Sequence, residues 1–291
     1  MKFAKLQGSG NDFVLRDLRS GSEHADGARF DEAQITAEGP ELARELCDRH
    51  FGVGADGVLT LLDGDGDGGE RMIVHNADGS RPEMCGNGAR CAALWIATLG
   101  CVRPASEEVL LLTDAGPRPS EVEAKDPFFA QVEIGMGEPR VEAERAFQFS
   151  TSVRAGTAVS MGNPHRVFFL GDAPQTLSAG RFDPALASLR DREGPALCAA
   201  EDANIELVQS LGSQRFRAAV WERGAGATLA CGTGACAVAA AAVARGLANA
   251  GEPIEVELPG GALRLRFEKK QLWMRGPAEL VFRGDTARAK S

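Results

Sequence analysis

The sequence predicts an α+β protein made of two similar, duplicated domains, each a mostly antiparallel sheet or barrel around one central helix. Three observations carry this. The stretch HNADGSRPEMCGNGA, His75 to Ala89, aligns without a gap on WERGAGATLACGTGA, Trp221 to Ala235, and sets Cys85 and Cys231 146 positions apart in a chain of 291 residues. Both copies have the same local order, a β-like run (Arg71 to His75; Phe216 to Trp221), a Gly-containing loop, Cys-Gly-Xaa-Gly-Ala, and an Ala-rich apolar segment. A fainter echo lies upstream, where Gly10-Asn11 before Phe13-Val14-Leu15 resembles Gly162-Asn163 before Val167-Phe168-Phe169. Self-similarity at half the chain length, twice in the same order, points to duplication rather than coincidence.

Short apolar runs bounded by turn residues read as strands. They are Phe3 to Leu6, Phe13 to Leu15, Val58 to Leu62, Val109 to Leu112, Gln131 to Ile134, Val153 to Ser160, Ile205 to Val208, Ile254 to Leu258, Leu263 to Phe267 and Leu280 to Phe282. The two Ala-rich segments read as helices, Ala89 to Leu99 closed by Gly100 and Ala235 to Arg245 closed by Gly246, because glycine after the last periodic residue is a common helix stop. A further helix is expected over Glu41 to Arg49, with Pro40 at its first position. The join between the halves is expected near Lys125-Asp126-Pro127.

Composition excludes several classes. With 44% hydrophobic and 25% charged residues the chain is in the ordinary globular range, and its net charge of −9 without a Lys/Arg block argues against a nucleic-acid partner. Neither a signal-peptide pattern over Met1 to Asn11 nor an apolar run of membrane-spanning length is visible, so a cytoplasmic protein with no membrane partner is expected. Seven cysteines without a CxxC pair favour neither a disulfide framework nor a zinc site. Cys47, Cys101 and Cys198 read as small buried residues. Asp63, Asp65, Asp67 and Gly68 imitate the start of a calcium loop, but Val74 stands where its bidentate Glu belongs, so no metal is expected.

The two remaining motifs carry chemistry. A helix N-terminus presents unpaired N–H groups and partial positive charge, which bind carboxylates and can lower a cysteine pKa below its free value near 8.5. The glycines after each cysteine let a carboxylate approach Gly86, Asn87 and Gly88 on one side and Gly232, Thr233 and Gly234 on the other. Two thiols on opposite faces of a carbon next to that carboxylate could invert its stereochemistry, one as base and one as acid. Two cysteines merely filling tight helix–strand junctions would explain either motif alone, but not both in equivalent places. Asn11, Asn76, Asn163 and Asn204 border predicted strands or turns, where asparagine is commonly structural. His165, after Pro164, could poise a thiol or simply satisfy a turn. Glu222-Arg223 occupies the repeat position of Asn76-Ala77.

GSGNDF (8 to 13), HFGVGADG (50 to 57), NADGSRPEMCGNGAR (76 to 90), MGNPH (161 to 165) and ERGAGATLACGTGA (222 to 235) together resemble the diaminopimelate epimerase family, in family order across nearly the whole chain. The resemblance implies interconversion of LL- and meso-diaminopimelate without pyridoxal phosphate, metal or other cofactor, for lysine and peptidoglycan precursor synthesis. It implies two domains that close over the substrate, 1–127 with the returning strand 278–291 and 128–277, with the active site in the cleft between them, and a homodimer. It further implies that Cys231 takes the proton from the LL substrate and Cys85 donates one to the opposite face, assisted by His165 and Glu222. Asn11, Asn76, Asn163, Asn204, Glu222 and Arg223 would then hold the substrate, with Gly86-Asn87 and Gly232-Thr233 gripping the reacting carboxylate. Arg223, with its planar fork, suits the distal carboxylate. Phe282 stands where some members have a dimer-contact Tyr. Gly57 replaces a substrate-contacting Gln of some members, and Ala199 to Ala203 lacks the Phe-Pro often found before Asn204.

Competing readings are a proline or hydroxyproline racemase, which would not need Asn76, Asn163, Asn204 and Arg223, a non-catalytic amino-acid-binding protein, which would be expected to lose a cysteine, and a redox sensor built on facing thiols.

Overall fold

The structure, a computed structural model, describes residues 1–25, 30–64, 68–99, 107–172 and 182–287. Its elements are β1 (Lys2–Gly8), β2 (Asn11–Asp17), α1 (Glu32–Cys47), β3 (Gly57–Asp63), β4 (Glu70–Asn76), α2 (Gly86–Ala97), β5 (Glu108–Thr113), β6 (Gly116–Asp126) and β7 (Phe129–Gly137). Then come β8 (Arg140–Val141), β9 (Arg145–Gln148), β10 (Val153–Ser160), β11 (Pro164–Asp172), α3 (Pro184–Glu201), β12 (Asn204–Gly212), β13 (Arg215–Glu222), β14 (Gly226–Ala227), α4 (Gly232–Ala244), β15 (Ile254–Leu258), β16 (Gly261–Glu268) and β17 (Gln271–Asp285). The chain divides into two compact units, 1–134 with 276–291, and 135–275. The boundary lies within β7, a few residues beyond Lys125-Asp126-Pro127, because that strand continues through Gly137. Among the described residues no helix is long and apolar enough to cross a membrane.

In the first unit β1 pairs antiparallel with β2, β2 parallel with β3, β3 antiparallel with β4, β4 parallel with β5, and β5–β6–β7 continue antiparallel. The last residues of β17 pair with β1, and β17 also pairs with β7, so eight strands close on themselves. Parallel neighbours need a crossover. Here α1 makes the first, joining β2 to β3, and α2 lies in the second, between β4 and β5. Every residue of α2 except Ile96 is buried, which fits its nearly all-round apolar sequence. Trp95 is anchored inside by its Nε1–H, which donates to Asp17 Oδ2 at 2.9 Å. Buried Arg90 donates from Nε to the Pro277 carbonyl at 3.1 Å and so ties down the returning strand.

The second unit repeats this order of pairings. β10–β11 is antiparallel, β11–β12 parallel across α3, β12–β13 antiparallel, β13–β15 parallel across α4, and β15–β16–β17 antiparallel. Its helix α4 is buried through Ala242 apart from Thr233. Phe147 and Phe149 meet Phe168 edge-on at 5.1 and 5.0 Å within its core. The shared order of antiparallel and parallel steps is the structural form of the sequence repeat.

Three expectations change. The first helix runs Glu32–Cys47 with Pro40 inside it rather than at its start. Its start is set by Asp31, whose side chain accepts from Gln34 N while the Gln34 side chain accepts from Asp31 N. The second and third corrections are unanticipated elements. α3 contains Gly194-Pro195, and β6 contains Pro117 and Pro119 among charged residues. Gly100, Cys101, Asp65 and Asp67 lie outside the described residues.

Candidate active site

Two half-sites occupy equivalent places in the two units. In the first, Phe13 pairs with Gly57 and Gly57 with Asn76, so the start of β2, the start of β3 and the end of β4 lie at one end of the sheet. The N-terminus of α2 comes to the same end, where Asn87 Nδ2 donates to Asn11 Oδ1 at 3.2 Å. Half-buried Cys85 is the N-cap of α2, and its Sγ accepts the Gly88 N–H at 3.4 Å. A Cβ on Gly88 would lie 2.8 Å from Leu59 Cδ2, so a side chain there would have to push Leu59 aside for the helix to start this close to β3. Gly57 is similarly confined, 2.8 Å from the His75 carbonyl to an added Cβ. Asn76 bonds Ser80 twice, backbone N to carbonyl at 2.8 Å and Nδ2 to Oγ at 2.9 Å, and thereby shapes the following turn.

Asp56 was not singled out from the sequence, yet it orders this half-site. Its Oδ2 accepts from Asn11 Nδ2 at 2.5 Å and from Asp12 N at 3.1 Å, and Arg49 bridges Asp56 and Asp12 at 2.8 Å each. Burial pushes the Asp12 carboxyl up, but hydrogen bonds from Arg49 and Lys5 outweigh it and hold it at about 2.

In the second half-site, Cys231 is the N-cap of α4. Its Sγ accepts the Gly234 N–H at 3.3 Å and lies 3.5 Å from Thr233 Oγ1. The thiol is buried, and the nearby Glu222 carboxyl accepts from Thr228 Oγ1. His165, wholly buried at the start of β11, has Nδ1 2.7 Å from Glu206 Oε1 and Nε2 3.0 Å from Asn163 Oδ1. Asn163 Nδ2 in turn donates to Thr233 Oγ1 at 3.4 Å. Asn204, paired with His165 across β11 and β12, accepts the Arg223 N–H on Oδ1 at 2.8 Å. The Arg223 guanidinium is half exposed and paired with Asp202 at 3.0 Å.

The electrostatics reverse one expectation. The helix end was expected to lower the cysteine pKa, but burial, reinforced by the carboxyls of Glu222 and Glu206, pushes Cys231 well above the ordinary thiol range. A single N–H bond and a helix dipole do not offset desolvation next to two acidic groups. Burial likewise raises Glu222, despite its bonds from Thr228 and Cys231. Both groups of the buried pair are thus shifted towards their protonated forms.

Register makes the two half-sites comparable residue by residue. Phe13 and Gly57 pair across β2 and β3 as His165 and Asn204 pair across β11 and β12. Asn76 and Glu222 end the next strand in each unit. Leu59 packs where α2 begins, as Glu206 does where α4 begins. Titratable side chains thus replace apolar or neutral ones in the second unit only. Glu206 was missed in the sequence, where its signal was a lone carboxylate within the apolar run Ile205 to Val208.

Residues 3–142 and 157–281 match the family model described as diaminopimelate epimerase. The chain is 43% identical over 309 residues to the diaminopimelate epimerase of Thermosynechococcus vestitus and 39% identical over 301 to that of Synechocystis, covering 98% of both chains in each comparison. Two solved structures share the fold. A hydroxyproline epimerase from Agrobacterium vitis has a TM-score of 0.71 at 14% identity, over 98% of this chain and 91% of that one. A predicted epimerase from Pseudomonas aeruginosa has a TM-score of 0.68 at 17% identity, over 99% of each.

Proposed function

The chain belongs to the diaminopimelate epimerase family, isomerases that act on an amino acid, and on that premise we propose that its two half-sites grip one diaminopimelate and invert its α-carbon between two thiols. The observation that carries this reading is the occurrence of an N-cap cysteine, followed by Gly-Xaa-Gly, at the start of the inner helix of both units.

Glu222 accepts the Cys231 proton and leaves a thiolate. The thiolate removes the α-hydrogen of the LL substrate, so that the C–H bond breaks and an S–H bond forms. The electron pair spreads into the substrate carboxylate, which the N–H groups of Gly86, Asn87, Gly232 and Thr233 stabilise as charge builds. Cys85 delivers its S–H proton to the opposite face, giving the meso product and a thiolate that starts the reverse reaction. Asn11, Asn76, Asn163, Asn204 and Glu222 hold the substrate's polar groups, and Arg223 exchanges Asp202 for the distal carboxylate. His165 assists through its Nε2 face.

The same reading places the enzyme in the cytoplasm, in lysine and peptidoglycan precursor synthesis, with a second copy of the chain as partner. Its support for the dimer is an apolar surface on the first unit. Phe128, Val281 and Phe282 are each about half exposed, and the Leu280 N–H donates to the Phe128 carbonyl at 2.8 Å.

The test is direct. Purified protein with LL-diaminopimelate, under reducing conditions and without added cofactor, should yield the meso isomer by chiral chromatography. No conversion would overturn the reading.

A further inference from the structure

We infer that Glu206 is a positioning residue of the second half-site, fixing which nitrogen of His165 carries the outward proton and, through the ring, the amide of Asn163 beside the start of α4. The inference rests on the proposed two-thiol reaction.

The geometry is a chain of four groups. Glu206 and His165 are both fully buried and meet at 2.7 Å, His165 reaches Asn163 at 3.0 Å, and Asn163 reaches Thr233 at 3.4 Å. With Asn163 Nδ2 directed to Thr233, its Oδ1 faces the ring and accepts from Nε2–H. The other ring nitrogen faces a carboxyl oxygen. Both nitrogens therefore point at oxygen acceptors, a demand met when Nε2 is protonated and one further proton lies between Nδ1 and Oε1. The second carboxyl oxygen, Oε2, is buried with no hydrogen-bond partner. A bare anion there is costly, so a proton shared with the ring is favoured. Burial also pushes the Glu206 carboxyl up, in the same direction.

The repeat shows that the fold does not require this arrangement. In the first unit the equivalent residues are Leu59 and Phe13. A Cβ added at Gly88 would lie 2.8 Å from Leu59 Cδ2, and one added at Gly234 would lie 3.0 Å from Glu206 Oε1. The same junction of strand and inner helix is thus built once with apolar side chains and once with a buried acid and imidazole. Departures from local consistency of this kind cluster at functional sites. The dyad also lies close to the reacting thiol, since Glu206 Oε1 and Cys231 Sγ flank the same point, 3.0 and 3.2 Å from a Cβ added at Gly234.

The experiment compares wild type, E206Q, E206L and the double variant E206L with His165→Phe, which restores the first unit's pattern. The readouts are kcat and KM with LL-diaminopimelate, the melting temperature, and ring ¹⁵N resonances in a protein with only four histidines. Wild type should show one fixed His165 state with Nε2 protonated. E206L should show tautomers in exchange and a kcat lowered about 100-fold, the scale of a slightly misplaced group in a reacting site. E206Q keeps a polar contact and should fall between them. The double variant should melt at or above the wild-type temperature, whereas E206L alone, which leaves Nδ1 of the buried ring without its partner, should melt below the double variant. Wild-type kcat in E206L, an unchanged ring spectrum, or a loss of activity that only tracks a loss of stability would each overturn the proposal. If wild type itself leaves diaminopimelate untouched, the epimerase reading fails, and the ring spectra and melting temperatures still decide the role of Glu206.

Discussion

Replacing Cys231 by serine should separate stability from activity. The sulfur is the N-cap of α4, accepting the Gly234 N–H at 3.3 Å and lying 3.5 Å from Thr233 Oγ1. Serine is the better cap, worth roughly 1 kcal/mol over a non-capping residue. Against this, burying a hydroxyl costs about 1–3 kcal/mol when its bonds are unmade. Here partners are at hand, since the oxygen can accept from Gly234 N–H and its proton can go to Thr233 Oγ1. The balance falls within about 1 kcal/mol of zero, or a melting shift of roughly 2–4 °C for a unit of this size. Turnover should nevertheless fall by about 10²–10⁴-fold, the contribution of a positioned acid–base group, because the hydroxyl is far less acidic than the thiol. Calorimetry and a chiral assay on the same preparation read both quantities. Activity within tenfold of wild type would refute the thiol's role, and a melting loss above about 10 °C would make the residue structural.

Other outcomes follow from the same contacts. Gly39→Ala, an ordinarily favourable change within a helix, should destabilise by about 1–3 kcal/mol in urea titration, since the new Cβ would sit 2.2 Å from the buried His75 ring. Asp56→Ala, which removes the partner of Asn11 Nδ2, should raise KM about tenfold with a smaller change in kcat, in line with the loss of one charged hydrogen bond. Glu32 is held at about 2 by bonds from Arg71 and then Arg81, and Asp114 at about 2 by Arg81 and then Arg71. Both carboxyls thus lie below their unfolded values, so their stabilisation is present above about pH 4.5 and is lost as pH falls towards 2. Replacing both arginines by alanine should lower the melting temperature at pH 7 and have little effect near pH 2. On the proposed dimer, Phe282→Glu should lower the particle mass to that of a monomer in sedimentation, with the fold unchanged by circular dichroism.

The duplication was legible because the chemistry sits in a gapless local motif, and the inner helices because they are apolar all round. The strand cores were legible from the same apolar runs. The parallel steps were not, since a strand's own sequence does not name its neighbour. Two of them, β2–β3 and β11–β12, follow only once α1 and α3 are seen as crossovers; Pro40 hid the first half of α1, and Gly194-Pro195 obscured α3. A capping box at Asp31 outweighs a proline whose missing N–H costs one bond. β6 was hidden by Pro117 and Pro119, which pair with Leu112 and Leu110 on β5 without the strand losing its place.

At the sites, Cys85, Cys231, His165 and Glu222 could be named from motif and resemblance, whereas Asp56 and Glu206 could not. Their importance arises from partners 45 and 41 residues away. The direction of the Cys231 shift was also beyond sequence reading, because it depends on how many carboxyls burial gathers around one sulfur.

The central claim is that two thiols act on opposite faces of one carbon, and deuterium bookkeeping at low conversion tests it most directly. In D₂O, wild type given LL-diaminopimelate should form meso product carrying one deuterium at the inverted carbon, while the remaining LL substrate stays protiated. One group removes the hydrogen and the other supplies the deuteron. Product that keeps the substrate's own hydrogen, or substrate that gains deuterium as fast as product forms, would contradict the two-thiol account.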